Sequence, residues 1–223
     1  MRLRHIPRET SRLVRRALGL RKEQSEELLQ ITSDLEPGDT FVDIGAHEGT
    51  FSLHAGKKVG PSGVVLAIEP NPEVLKQLRL NIAANALTNV QVAPVAVGDE
   101  NGEAILHVFK QHTRSSLYPK GRATRYTLQD INRTARITVP VKPLLLILST
   151  HRIETVRAMK IDVEGYEDRI LIPFFDAAPE SLWPHRVLIE RSPHIWKIDC
   201  IDCMLGRGYH TVWQGRGDTL LSL

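Results

Sequence analysis

Residues 41–50 of this chain read FVDIGAHEGT, an apolar run that ends in an acid and then opens through two glycines. The apolar run predicts a buried β-strand over Thr40–Ile44, and the residues after Gly49 predict a helix. In open α/β sheets, ligands bind beyond the carboxyl ends of the strands, at turns of this kind. We therefore expect a ligand site that includes Asp43 and Gly45. A helix cap at Asp43 followed by ordinary turn glycines is the alternative.

The same turn disfavours a dinucleotide as the ligand. A dinucleotide fingerprint requires Gly-x-Gly-x-x-Gly, and one that began at Gly45 would need glycines where His47 and Thr50 stand. The carboxylate of Asp43 would repel a pyrophosphate, whereas it would attract an ammonium group. A ligand with an amino-acid cation and no phosphate fits better, and S-adenosyl-L-methionine has that chemistry.

A second acid stands at the end of the next predicted strand, Val64–Ile68. Glu69 follows Gly45 by 24 residues, which is close to the spacing at which an acid accepts hydrogen bonds from a ribose diol. Pro70 stiffens the exit from this strand and Asn71 can cap the next helix, so a plain helix cap is the alternative.

A third acid, Asp99, follows the third predicted strand region, Val90–Val97. In a nucleoside site this turn, with Val97, would flank the adenine ring, and Asp99 would accept a hydrogen bond from the adenine amino group. A surface turn over residues 99–102 explains the same pattern equally well.

Strands and helices alternate along most of the chain. Further strands are predicted at 104–109, 137–141, 158–163 and 186–190, and residues 209–223 read as a hairpin. The predicted helices are 23–35, 50–58, 72–85, 144–151, 166–175 and 195–205. This alternation implies an α/β fold with a mostly parallel sheet, helices on both faces and one antiparallel strand at the far edge.

Basic charge is concentrated at the start of the chain. Residues 1–22 hold eight basic side chains and one acid, a net charge of +7, and since the whole chain carries +3 the remainder carries −4. We expect a basic helical extension over residues 1–35 and the main domain over 36–223. The helix predicted at 8–20 would pack on the domain or contact an anionic membrane or a partner, and Glu9 counts against a transit peptide.

The cysteines and the apolar runs indicate the cellular compartment of the protein. Cys200 and Cys203 are too few for a disulfide framework, and they lack the second ligand pair of a zinc site. No apolar run approaches the ~20 residues of a membrane-spanning helix, and no secretory leader is visible. We therefore expect a reducing, cytoplasmic location.

Several of these motifs together resemble the FkbM family of S-adenosylmethionine-dependent methyltransferases. The matching segments, in the family's order, are 41–50, 67–72, 81–85, 96–102 and above all KIDVEGYE at 160–167. The resemblance covers about residues 35–215. It implies the Rossmann-like, seven-stranded class I methyltransferase fold and methylation of a hydroxyl on a sugar, a glycan or a small metabolite.

The resemblance also assigns residues to the cofactor. Those that it places around S-adenosylmethionine are Asp43, Gly45, His47, Gly49, Glu69, Pro70, Val97, Asp99 and Asp162. Glu69 would hold the ribose and the segment Val97–Asp99 would lie near the adenine. Asp162 would stand at the tip of the fourth strand of the sheet, facing both the cofactor and the acceptor.

The chain departs from the family pattern at two places. His47 stands where the family commonly has asparagine, and an imidazole adds bulk and titrates near neutral pH. The family's Thr-Leu-Asp corresponds to Pro143-Leu144-Leu145, so that acid is absent. These changes would fit a different substrate, weaker activity or lost activity.

Methyl transfer to an alcohol requires alignment of the acceptor and a base for its proton. The candidate catalytic residues are Asp162, Glu164, Glu190 and His194. Asp162 and Glu164 would share a face if the strand continued past them, and all four would meet at the carboxyl edge of the sheet. Capping or surface roles for Glu164 and His194, or a Mg²⁺ site among the carboxylates, are the alternatives, and we expect no resident metal.

The leading hypothesis is therefore an O-methyltransferase that acts on a small-molecule, sugar or glycan acceptor. His112, Ser115 and Ser116 lie in a long polar segment that could cover the acceptor. Methylation of a macromolecule is an alternative, although the acidic body disfavours nucleic acid. A catalytically silent module that binds the cofactor or a partner is another, and a nicotinamide oxidoreductase is disfavoured by the missing glycines. Oligomeric state is not predicted.

Overall fold

A computed structural model of the protein describes residues 22–108, 115–117 and 135–223. The basic helix predicted at 8–20 and the side chain of His112 lie outside these residues. The strands are β1 (Thr40–Ile44), β2 (Val64–Ile68), β3 (Val90–Ala93), β4 (Ala96–Val97), β5 (Gly102–Val108), β6 (Ser115–Ser116), β7 (Ala135–Lys142), β8 (Ala158–Ile161), β9 (Arg186–Glu190), β10 (His210–Gln214) and β11 (Asp218–Ser222). The α-helices are α1 (Lys22–Thr32), α2 (Thr50–Val59), α3 (Pro72–Ala84), α4 (Leu144–Thr150), α5 (Asp168–Ala177) and α6 (Cys200–Leu205).

The main sheet has seven strands in the order β3-β2-β1-β8-β9-β11-β10. The pairs β2–β3, β1–β2, β1–β8 and β8–β9 are parallel, and β11 runs antiparallel to both of its neighbours. This order confirms the predicted α/β fold. The predicted position of the reversed strand was wrong, because β10 takes the edge. The more exposed strand lies at the edge: Thr219–Leu221 of β11 are buried, whereas His210 and Thr211 of β10 are exposed.

A second sheet, in the order β4-β7-β5-β6, was not predicted. The third strand region, 90–97, divides between the two sheets, since β3 pairs with β2 and β4 pairs with β7. Pro94 lies at the division, and a proline has no N–H to continue a hydrogen-bonded ladder. One face of β5 and β7 packs into a small apolar core around Leu106 and Val139.

Helices cover both faces of the main sheet. One face holds a core that includes α1, with Leu28 and Ile31 fully buried against β1 and α2. Residues 22–35, which we assigned to the basic extension, therefore pack into the same core as the domain. The other face packs against α4, α5 and α6. In the described residues, no helix has the length and apolar character that crossing a membrane requires.

Two helices begin later than predicted. α5 begins at Asp168, after a turn in which Glu164 and Gly165 adopt positive φ values of 56° and 101°. α6 begins at Cys200, where the side chain of Asp199 accepts hydrogen bonds from the backbone N–H groups of Ile201 and Asp202.

Candidate active site

Parallel strands β2, β1 and β8 bring three predicted site segments to one edge of the sheet. Ile44, the last residue of β1, pairs with Ile68 of β2 and with Ile161 of β8. The residues that follow these three strand ends therefore lie side by side. They are the turn 45–49, Glu69 and Asp162.

The turn after β1 is shaped by the neighbouring strand end. Gly45 has φ 76°, and its N–H donates to the carbonyl of Ile68 at 3.0 Å. A Cβ at Gly45 would overlap the carbonyl oxygen of Asp162. Glycine is therefore required here by a close approach of backbone to backbone within the protein.

Close packing also requires glycine at position 49. Gly49 has φ 92°, and a Cβ there would lie 2.5 Å from Cδ1 of Leu78 on α3. Between the glycines, His47 also has a positive φ of 51°, and its N–H donates to Oε2 of Glu69 at 3.0 Å. Helix packing and the Glu69 carboxylate together hold the turn, while the cofactor role of His47 remains a prediction.

Glu69 is the carboxylate that fits a nucleoside best. It is only 6% exposed, and its second oxygen, Oε1, accepts from the N–H of Asn71 at 2.9 Å. Burial raises its pKa, while the N–H groups of Asn71 and His47 oppose the shift. A carboxylate has about four acceptor positions, and these two bonds use two of them. Two acceptor positions of the Glu69 carboxylate therefore remain for the two hydroxyls of a ribose. Pro70, beside it, is half-buried, and its cofactor role remains a prediction.

The negative charge of Asp43 is compensated by neighbouring groups of the protein itself. Its side chain is fully buried, Oδ2 accepts from the hydroxyl of Ser52 at 2.6 Å, and Oδ1 lies 3.8 Å from Nζ of Lys160. Burial raises its pKa, and the charge of Lys160 acts in the opposite direction. The predicted contact with a cofactor ammonium group remains a prediction.

Lys160 is a central residue that the sequence analysis quoted only as part of a motif. Its Nζ donates to the carbonyl of Gly45 at 3.0 Å and lies 3.4 Å from Oδ2 of Asp162. Burial lowers its pKa, but the attraction of Asp162 and Asp43 outweighs burial and raises the pKa above its ordinary value. Because Lys160 and Asp162 are two residues apart, alternation along a strand was the signal that could have revealed this pair.

The loop after β8 carries the leading catalytic candidates. Asp162 donates its N–H to the carbonyl of Ile44 at 3.1 Å, and its side chain is 41% exposed. The strand has already ended at Ile161, and Glu164 has a positive φ. The face that Asp162 and Glu164 would share on a continuing strand is therefore not formed. Glu164 is half-buried in the turn.

The other two catalytic candidates follow the next strand. Glu190 ends β9, directly beside β8 and paired in register with Asp218 of β11. His194 is exposed on the segment between β9 and α6. The sheet thus brings Glu190 to the same edge as Asp162, whereas His194 lies on a connecting segment. The catalytic roles of all four candidates remain predictions.

The predicted adenine segment lies in the second sheet. Val97 is buried and pairs in parallel register with Lys142 of β7. The carboxylate of Asp99 accepts from Nη1 of Arg169 on α5 at 3.1 Å. Asp99 thus has a protein partner, and its contact with adenine remains a prediction.

The position that lacks the family's acid lies at the start of α4. Leu144 is buried in the core that packs against this face of the sheet, and Leu145 is partly buried against it. Leu145 therefore makes an apolar contact with the core.

Helix α1 adds a further acid that the sequence analysis missed. Burial and the neighbouring carboxylate of Asp218 raise the pKa of Glu27 to about 8, Asp162 adds to the rise, and Lys160 opposes it. These contacts place Glu27 at the same edge of the sheet as Asp162. They join side chains far apart in sequence, so no local pattern could have revealed them.

Replacing Glu27 with glutamine should make the protein less sensitive to high pH. Because the folded-state pKa lies above the ordinary 4.5, the folded protein binds the extra proton, and stability falls as pH rises from about 4.5 to about 8. Glutamine has no such proton. The melting temperature of Glu27→Gln relative to wild type should therefore increase across this window and level off above it. Glu23→Gln, an exposed acid on the same helix, is the control. A constant difference from pH 5 to 9 would contradict the prediction.

Comparison with known proteins places the chain in a family. The family model for the methyltransferase FkbM domain matches residues 43–199. The chain is 29% identical over 171 residues to the 31-O-demethyl-FK506 methyltransferase FkbM of Streptomyces tacrolimicus, a match that covers 68% of this chain and 64% of that protein. It is also 29% identical over 146 residues to Methyltransferase 1 of Beauveria bassiana, covering 60% of this chain and 58% of that protein. The matches span about three fifths of the length of these relatives.

A solved structure supports the fold. Methyltransferase FkbM from Methylobacillus flagellatus KT superposes with a TM-score of 0.51 at 16% identity, covering 96% of this chain and 58% of that chain. The chain therefore belongs to the FkbM family of methyltransferases, and S-adenosylmethionine is its expected cofactor.

Proposed function

We propose that this chain transfers the methyl group of S-adenosylmethionine to a hydroxyl on a sugar, a glycan or another small metabolite. The observation that carries the proposal is the partly exposed carboxylate of Asp162, held 3.4 Å from Lys160 beside the Gly45 turn. The name of the Streptomyces relative, a 31-O-demethyl-FK506 methyltransferase, supports an oxygen atom as the acceptor.

The cofactor would occupy the edge at which β1 and β2 end, with the segment after β4 beside it. Glu69 would accept hydrogen bonds from the ribose diol with its remaining acceptor positions. Val97 and Asp99 would flank the adenine ring, and the turn 45–49 would hold the methionine end of the cofactor. When bound, S-adenosylmethionine supplies an electrophilic methyl carbon.

The protein would supply alignment and a base. Asp162 would accept the proton of the acceptor hydroxyl as the oxygen attacks. Lys160 fixes the position of that carboxylate, because its Nζ is itself fixed by the carbonyl of Gly45 and by Asp43. Glu190 and His194 would lie on the acceptor side, where they would orient the acceptor or exclude water.

Neutral, hydroxylated molecules suit this edge of the sheet. The carboxylates near Asp162 include Asp218 and Glu190, and Lys160 is already surrounded by carboxylates. An acceptor that carries phosphate or carboxylate groups would meet repulsion here. The same acidity disfavours nucleic acid as a substrate, while a membrane or partner contact of the basic segment before residue 22 remains a prediction.

Replacing Glu69 with alanine should weaken S-adenosylmethionine binding at least about 100-fold. The variant loses the ribose acceptor and leaves the N–H groups of His47 and Asn71 without their carboxylate. Calorimetric titration of wild type and variant with S-adenosylmethionine, with NAD as a second ligand, measures this loss. Glu73→Ala removes an exposed acid from the neighbouring helix and should bind as wild type does. Equal affinity in Glu69→Ala and wild type would contradict the assignment of the ribose site.

A turnover assay tests whether the protein transfers the methyl group to a hydroxyl of a small acceptor. The protein should transfer labelled methyl groups to members of a panel of neutral sugars, glycosides and polyols, and NMR of the product should locate a methyl ether. Transfer to nitrogen, carbon or a macromolecule would contradict O-methylation of a small acceptor. Tight cofactor binding without transfer to any acceptor class would favour the catalytically silent module.

A further inference from the structure

Two adjacent acids at the start of α5 connect the loop after β8 to the segment after β9. Glu167 is fully buried, and its Oε1 accepts from the N–H groups of Val163 and Gly165, both at 3.1 Å. Its Oε2 accepts from the indole Nε1 of Trp196 at 2.7 Å. The next residue, Asp168, accepts from the N–H of Lys197 at 2.8 Å.

Close packing reinforces these hydrogen bonds. Gly165 has φ 101°, and a Cβ there would lie 2.9 Å from Cδ1 of Ile195. Trp196 is itself buried in the core. The loop 162–165 and the segment 194–197 are thus in contact through side chains and hydrogen bonds at several points.

The Glu167 carboxylate is an unusual group to bury at the centre of this contact. Burial raises its pKa to about 7, while the Trp196 indole and the loop N–H groups favour the charged form. An apolar residue could fill the same space, but it would leave three N–H donors without an acceptor. The hydrogen bonds require an acceptor group that is fixed relative to both segments.

Both segments carry groups that the proposed function uses. Asp162 lies at the start of the loop, where its carbonyl contacts Gly45 of the cofactor turn. His194 lies on the segment after β9. The Glu167 carboxylate thus connects the loop that carries Asp162 to the segment that carries His194.

We propose that Glu167 is a positioning residue for methyl transfer: its carboxylate joins Val163, Gly165 and Trp196, and so holds the Asp162 loop against the Gly45 turn. This inference rests on the proposed function. Glu167 touches neither substrate nor cofactor in this role, and it acts through the backbone of the loop.

Glu167→Gln tests the inference with little change in shape. If the amide oxygen keeps the two loop N–H groups, the amide NH₂ faces the indole N–H of Trp196, and two donors oppose each other. We expect binding of S-adenosylhomocysteine to weaken at least fivefold at a temperature where the variant is fully folded. Trp196→Phe removes the same hydrogen bond from the other side and should also weaken binding.

The double variant separates positioning from loss of stability. Phenylalanine at 196 offers no donor to oppose the glutamine, so the double variant should bind S-adenosylhomocysteine more tightly than Glu167→Gln alone. Asp34→Asn is the matched control, because it removes the acid that pairs with Arg186 at 2.9 Å, an ion pair remote from the loop. It should lower the melting temperature and leave the affinity within twofold of wild type.

The outcomes are distinct. Affinities within twofold of wild type in both Glu167→Gln and Trp196→Phe would overturn the inference and leave Glu167 a purely structural residue. If wild type itself binds no S-adenosylhomocysteine, the proposed function fails and the inference fails with it. The NMR signal of the Trp196 indole N–H would then still report whether the hydrogen bond to Glu167 exists.

Discussion

Gly45→Ala should abolish S-adenosylmethionine binding and lower the free energy of unfolding by about 2–5 kcal/mol. Two costs combine at this position. The φ of 76° lies in the left-handed region, and the new Cβ would overlap the carbonyl oxygen of Asp162. Neither backbone can move easily, because β1 pairs with β8 up to Ile44 and Ile161, and the Gly45 N–H is bonded to Ile68.

A second glycine separates these two costs. Gly60 also has a positive φ, 63°, but a Cβ there would meet nothing within 4 Å. Gly60→Ala should therefore carry the backbone cost alone, about 1–3 kcal/mol, and leave cofactor affinity unchanged. Chemical denaturation and calorimetric titration of both variants measure the difference. If Gly45→Ala costs no more than Gly60→Ala, the close contact with Asp162 is not what restricts this position.

Lys160→Met should lower the free energy of unfolding by about 3–5 kcal/mol at pH 7. The methionine fills similar space but leaves the fully buried carboxylate of Asp43 without its cation. It also removes the donor to the carbonyl of Gly45 and the partner of Asp162. The variant should therefore lose cofactor affinity as well as stability.

The pH dependence of this loss has a definite sign. Burial already raises the pKa of Asp43, and without Lys160 the pKa should rise further. Since the folded state then favours the protonated acid, the deficit of the variant should shrink as pH falls through the folded-state pKa of Asp43. Adding Asp43→Asn to Lys160→Met should recover part of the stability, because position 43 then carries no buried charge.

An exposed lysine provides the matched control for this prediction. Lys76 pairs with Glu73 at 2.8 Å on the surface of α3, with both side chains more than two thirds exposed. Lys76→Met should change the free energy of unfolding by less than about 1 kcal/mol. Denaturation curves that show equal losses for Lys160→Met and Lys76→Met would contradict the importance of burial.

Local patterns predicted the elements that carry the cofactor edge. Strands β1, β2 and β9 have the predicted bounds, because each is a short, mostly apolar run with an acid at or next to its carboxyl end. The predictions were less accurate where backbone geometry intervenes. Pro94 divides the region 90–97 between two sheets. The fourth strand ends at Ile161, two residues earlier than predicted, and a turn with a positive φ at Glu164 follows.

The sequence by itself determined the α/β fold, the family and the acids at the strand ends, since each of these depends on residues close together in the chain. The tertiary structure decided what those acids contact. Lys160 reaches the carbonyl of Gly45 across 115 positions, and Trp196 reaches Glu167 across 29. Such pairs depend on which strands become neighbours and on how side chains fill the buried space between them. No spacing along the chain encodes that outcome, because it is a property of the packed sheet.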